Sequence, residues 1–438
     1  MLSTPRRTRV FVSAAIVASA ALVLGGCSAG GGGDENVTLS ILVDNTDTTI
    51  NTVQALADAF TAANPNIKVE LEERPQGSEG DNVVRTRLQT SDMTDLFYYN
   101  SGAQFQGLSP ETTLADLSGE DFMKSVSDVF QSGVSAGDGV YGVPVGNAMG
   151  GGILYNKTVY ANLGLEVPKT WDDFMANNKV IREAGIDPVI QTFGPDSTWT
   201  SQLFVLGDFY NVLADNPKFA EDFTANKAHF SDTPAVLGSL QKQVDVLDAG
   251  YLNADYGSAT YADGLKKLAE GTGAHYPMLT FAVTEFITNY PDAVKDIGFF
   301  AIPGDNADSA GLTTWLSAAL YLPKSTTDHK DAALKFLAFV ASPAGCDAQT
   351  DAVGVTGPYF IDGCTIPDDV APAVADLQAY VESGLTAPAL EFLSPLKGPA
   401  LEQITVAVGS GIMTAKDGAA AYDEDVKKQA QQLGLDGW

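Results

Sequence analysis

The chain has 438 residues, 45% of them hydrophobic and 18% charged, a balance that excludes an intrinsically disordered protein. Its 25 basic residues stand against 55 acidic ones, a net charge of −30 that opposes binding to nucleic acid or to anionic lipid. The length exceeds one ordinary core and allows two lobes.

The chain begins with Arg6, Arg7 and Arg9, followed by an apolar run from Val10 to Leu24 that is too short to span a bilayer comfortably. Leu24-Gly25-Gly26-Cys27-Ser28 closes that run and resembles the lipobox of bacterial lipoproteins, in which the cysteine is lipidated and becomes the new N-terminus. Residues 1–26 are therefore expected to be a signal peptide and Cys27 the lipid-bearing residue. Gly30 to Gly33, within residues 27–36, supply a flexible tether.

Val37 to Val43 reads as a strand. Ile50, Val53, Leu56, Ala57 and Phe60 then recur at helical spacing until Asn64-Pro65 stops them. Ile67, Val69 and Leu71 alternate with Lys68, Glu70 and Glu72 as a second strand, Val83 to Leu88 suggests a helix, and Asp95 to Tyr99 a third strand. This βαβαβ order predicts a parallel sheet, with ligands beyond the carboxyl ends of its strands. Asp44 and Asn45, after the first strand, and Tyr99, Asn100 and Gln104, after the third, are candidate pocket residues. Strand alternation lets only one of Tyr98 and Tyr99 face a cleft.

Farther along come Gly139-Val140-Tyr141-Gly142-Val143-Pro144, Leu154-Tyr155-Asn156-Lys157 and Val167-Pro168-Lys169-Thr170-Trp171-Asp172-Asp173-Phe174. Ile297 to Gly304 and Tyr321-Leu322-Pro323-Lys324-Ser325 complete the series. In this order, across nearly the whole chain, the segments resemble the extracellular solute-binding proteins of ATP-driven importers, in the carbohydrate-binding branch (family 1). The resemblance implies an α/β, two-lobed periplasmic-binding-protein-like (type II) fold with a ligand cleft between the lobes. Lobe one is expected at 37–144 plus 280–326, and lobe two at 145–279 plus 327–438. It further implies a monomer, tethered to the outer face of the cell membrane, that closes on a sugar and docks on permease subunits without a cofactor.

A sugar presents apolar C–H faces and hydroxyl-rich edges, so its site needs aromatic platforms with polar rims. Trp199, in the polar loop Gly194 to Thr200, and Trp315, in Gly311-Leu312-Thr313-Thr314-Trp315, are the candidate platforms. Asn147 follows the expected hinge strand, Phe281 stands where relatives carry a tryptophan, and Tyr359 lies in a glycine-proline loop that faces the cleft in relatives. Tyr359 could instead cover Cys364. Cys346 and Cys364 can pair in an oxidising compartment.

Two other readings compete with this one. Gly133-Val134-Ser135-Ala136-Gly137 matches G-x-S-x-G, the elbow of a hydrolase, but a helix-like segment precedes it where a strand is needed. A non-sugar solute such as a polyamine is a further alternative ligand. His229, His275 and His329 lie far apart, so no metal site is expected.

Overall fold

The computed structural model describes residues 36–307 and 310–438; the expected signal peptide and the lipidation site Cys27 lie outside the described residues. In chain order the strands are β1 (Val37–Asp44), β2 (Ile67–Arg74), β3 (Leu96–Tyr99), β4 (Ser135–Ala136), β5 (Gly139–Val140), β6 (Gly142–Val145) and β7 (Met149–Asn156). They continue with β8 (Asp187–Val189), β9 (Gly273–Leu279), β10 (Ile297–Ala301), β11 (Leu312–Trp315), β12 (Ala318–Tyr321) and β13 (Thr386–Pro388).

The first lobe is built on a sheet of order β2-β1-β3-β12-β6. Central β1 is buried on both faces at Ile41, Leu42 and Val43, whereas edge strand β2 turns Lys68 outward. The helix Asp47–Ala63 starts where the Thr46 hydroxyl accepts the Thr49 N–H at 3.2 Å, and buries Val53, Leu56 and Phe60 against the sheet. It stops before Pro65, which disfavours helical backbone at Asn64. The β1–β2 and β1–β3 pairings are parallel, as the βαβαβ order requires, and β12 inserts antiparallel between β3 and β6.

In the second lobe β7 is the axis. It pairs with β9 along one edge and with β11 and then β10 along the other, all antiparallel. Thr170 and Asp173 form a capping box at the start of helix Trp171–Glu183. The helices Pro234–Asp248, Leu401–Gly409 and Ala415–Gln432 contribute a separate apolar cluster around Leu240, Val408 and Tyr422.

The expected lobe boundaries need correction in two places. β10 and β11 pair with β7, so they belong to the second lobe although 280–326 was assigned to the first. Conversely, helix Lys330–Val340 belongs to the first lobe: it buries Phe336, Leu337 and Val340 in that core, with the Phe336 ring edge-on to Phe60 at 5.1 Å. Helix Pro343–Val353 packs on Asp47–Ala63 beside it. The physical reason is the apolar stripe of Lys330–Val340, which covers the sheet that the chain has just left at β12. The chain thus crosses between the sheets at 145–149, at 315–318 and along 354–371.

The crossings are tied to one another. Gly146 donates its N–H to Gln349 Oε1 at 2.7 Å, Ala148 to the Pro358 carbonyl at 2.8 Å, and the Thr356 N–H reaches Asn147 Oδ1 at 3.1 Å. Gly146 has φ +90°, a conformation that any other residue resists. Cys346 and Cys364 form a disulfide with a Cα–Cα distance of 6.0 Å.

Candidate functional site

A cavity of about 290 Å³ lies between the lobes, at the small end for small-molecule pockets. The first lobe contributes the carboxyl ends of its parallel strands: Asp44 closing β1, Arg74 closing β2, and Tyr98 near the end of β3. The second lobe contributes Trp199, Phe281 and Glu402, and the crossings supply Asn147, Ser317 and Thr356.

The lobes touch across this cavity. Trp199 Nε1 donates to Gln76 Oε1 at 3.2 Å, Gln403 Nε2 to Ser78 Oγ at 3.4 Å, and the Thr48 N–H to Glu285 Oε1 at 3.1 Å. Glu402 reaches the first turn of helix Gly77–Thr90, where a Cβ on Gly77 would stand 3.5 Å from its Oε2, while it accepts the Thr198 hydroxyl of its own lobe. Gln76 places no side-chain cap on that helix. The carboxylate from the opposite lobe therefore serves the helix's positive end. Burial pushes the Glu402 carboxyl above its usual range and facing Asp81 adds to the rise; Thr198, Lys397 and the Ser78 N–H pull it back.

Most sequence candidates border the cavity: Asp44, Asn100, Gln104, Asn147, Trp199, Phe281 and Trp315. Trp199 is half-buried and joins an aromatic cluster, with Tyr261 at 5.4 Å and Phe281 at 6.0 Å between ring centroids. Trp315 is both core and wall. Its ring lies so close to Gly151 that a Cβ there would stand 2.1 Å from Cζ3, and its indole N–H donates to Glu391, which Lys397 pairs at 2.8 Å. Asp44 accepts from the Thr46 and Thr49 hydroxyls at 2.6 and 3.1 Å. Asn100 and Gln104 bond each other at 2.5 Å.

Three candidates fall elsewhere. Tyr99 is fully buried in the core of the first lobe, its ring tilted against Phe97 at 6.5 Å, and Tyr98 is the tyrosine that meets the cavity. The alternation expected from the strand holds, with its phase the reverse of the choice. Asn45 is exposed outside the wall, bonded to Gln76 Nε2 at 3.2 Å, because the turn into the helix at Asp47 directs it away. Tyr359 also lies outside the wall: its hydroxyl is 2.8 Å from Thr350 Oγ1 and donates to the Cys346 carbonyl at 3.2 Å, so it covers the disulfide.

Sequence reasoning missed Arg74, Gln76, Asp81 and Glu402. Arg74 ends β2 and Gln76 and Asp81 follow it, and the rule that pockets form beyond parallel strand ends would have found them had it been applied to that strand. Glu402 sits on a helix 328 residues after Arg74, and no local signal marks it.

Groups expected to be inert have structural settings. His275 is fully buried, 2.7 Å from the Tyr160 hydroxyl, and burial pushes its pKa down to about 3. Ser135 starts β4 after a helix, with its hydroxyl donating to the Gln131 carbonyl at 2.7 Å, so the strand-to-helix elbow of a hydrolase is missing at that motif. Among the described residues no cluster of His, Cys, Asp and Glu could hold a metal ion.

The chain is 25% identical over 309 residues to the multiple sugar-binding protein of Streptococcus mutans, covering 69% of this chain and 71% of that one. It is 26% identical over 350 residues to the melibiose/raffinose/stachyose-binding protein MelE of Bacillus subtilis, covering 76% and 78%. In structure it is similar to a chitin oligosaccharide binding protein (TM-score 0.77, 21% identity, covering 91% of this chain and all of that one). It is also similar to the raffinose-bound RafE (TM-score 0.73, 22% identity, covering 90% and 99%). The model of the bacterial extracellular solute-binding protein family matches residues 46–345, and the chain belongs to that family.

Proposed function

We propose that this protein captures a carbohydrate, of oligosaccharide size or smaller, between its lobes and delivers it intact to the permease of an ATP-driven importer. The observation that carries the reading is the cavity wall. The aromatic rings of Trp199, Phe281 and Tyr98 supply faces for sugar C–H groups, and Asp44, Asn100, Gln104 and Asn147 supply hydrogen-bonding edges beside them. Sugar-binding relatives cover most of the chain, which supports the same class. Lobes linked by three crossings can rotate about them, and a ligand that touches both lobes shifts the population toward the closed form. No bond is made or broken. A lipid on Cys27 holds the body at the outer face of the membrane, within reach of its permease.

The test is a thermal-shift screen of the body from residue 36 onward against raffinose, stachyose, chitin and xylan oligosaccharides, and galactose. A ligand selective for the native state raises the midpoint by linkage. A response to at least one sugar, recovered uncleaved, is the expected result; silence across the panel, or cleavage, contradicts the reading.

A further inference from the structure

We propose that Arg74 is the principal polar anchor of the ligand and that the ligand group it holds is an uncharged, acceptor-rich edge of a carbohydrate. This rests on the carbohydrate reading above.

Arg74 ends β2 on the cavity wall and is only 7% exposed. A buried guanidinium ordinarily spends its five N–H groups on carboxylates and carbonyls. This one makes a single hydrogen bond among the described residues, from Nη1 to the carbonyl of its neighbour Pro75 at 3.0 Å. Its Nε is buried without a partner, and no carboxylate lies within ion-pairing distance of it among the described residues. The site is nevertheless built for it. Gly80 leaves the space that Arg74 uses, since a Cβ there would stand 2.5 Å from Nη1, and the guanidinium carbon lies 5.6 Å from the centre of the Tyr99 ring. A buried cation with spare donors is costly in an empty protein and is explained when a ligand supplies the acceptors.

The rest of the wall says which acceptors. Asn147 Nδ2 and Ser317 Oγ, also on the wall, are likewise buried and unpartnered, so this region lacks acceptors. The carboxylates, by contrast, are already supplied: Asp44 by two threonine hydroxyls, Asp81 by Gln104 Nε2 at 3.2 Å, Glu391 by Lys397 and Glu402 by Thr198. With Asp44, Asp81, Glu391 and Glu402 facing only Arg74 and Lys397, the wall carries an acidic surplus that disfavours an anionic sugar. Hydroxyl, ring and glycosidic oxygens satisfy Arg74 without adding charge.

The experiment compares wild type with Arg74→Met and Arg74→Lys, by calorimetry and thermal shift, against raffinose, stachyose, chitotriose and xylotriose, with trigalacturonate alongside. The expected result has three parts. The ligand-free midpoint of Arg74→Met stays at or above the wild-type value, because an unpartnered buried charge has been removed. Its affinity for the sugar that wild type binds falls about tenfold to a hundredfold. Trigalacturonate binds wild type more weakly than the neutral sugars. Arg74→Lys, which keeps the charge and loses the planar fork, is expected to remain weakened. A lower ligand-free midpoint in Arg74→Met makes Arg74 a structural residue and overturns the proposal, as does unchanged affinity in both variants or a preference for trigalacturonate. Wild-type silence toward every sugar instead refutes the carbohydrate reading itself.

Discussion

Replacing Trp199 with alanine separates a ligand platform from a packing residue, and the structure sets the size of each effect. The indole leans on Tyr261 and Phe281, bonds Gln76 across the cleft, and borders the cavity with the rest of its surface. A fully buried Trp→Ala change costs about 3–5 kcal/mol, and a half-buried one about 2 kcal/mol. Against a native stability of roughly 5–15 kcal/mol the variant stays folded. On the ligand side, about 100 Å² of ring surface at about 25 cal/mol per Å² gives roughly 2.5 kcal/mol. Stacking geometry adds about 0.5 kcal/mol or more, so affinity should fall roughly 150-fold. Titration calorimetry with the best sugar of the panel reads the second number, and denaturant unfolding of the ligand-free protein reads the first. A variant that is unfolded, or one that is destabilised yet binds within threefold of wild type, refutes the platform.

Other outcomes follow from the same structure. Burial raises the Glu402 carboxyl, so the folded protein keeps that proton to higher pH than the unfolded chain does, and stability declines as pH rises from the ordinary carboxylate range through the raised pKa. Glu402→Gln should therefore match wild type in acid and exceed it near neutrality; parallel stability curves, or a gap of the opposite sign, contradict this. The disulfide joins cysteines 18 residues apart, and a Cys346→Ser/Cys364→Ser variant should lose about 3 kcal/mol by denaturant unfolding. Two reactive thiols in the denatured, unreduced body would rule the bridge out. Full-length protein should partition with membranes, and Cys27→Ser should be released or remain unprocessed; mass spectrometry showing an unmodified, uncleaved wild-type N-terminus would refute the anchor.

Much of the first lobe was legible because its signals are local: the β1 and β2 patterns and the stop at Asn64-Pro65 each depend on a few neighbours. The second lobe was harder. Whether β10 and β11 join one sheet or the other depends on pairing with β7, more than 140 residues away, and short apolar strands look alike in either sheet. Trp199 was legible from its polar loop. The Tyr98–Tyr99 phase was not, since both residues are aromatic and the alternation fixes opposition without direction. Glu402 carries meaning only once the cleft is assembled, where an acid on one helix meets the bare end of another; the strand-end rule points to the position of Arg74 but not to its lack of a carboxylate partner among the described residues.

Native mass spectrometry of the body mixed with the sugar panel tests the central claim most directly. Capture without chemistry is expected to give one sugar per protein, released on activation at the mass of the sugar added. A spectrum showing no complex with any sugar, or a sugar returned in pieces, would contradict it.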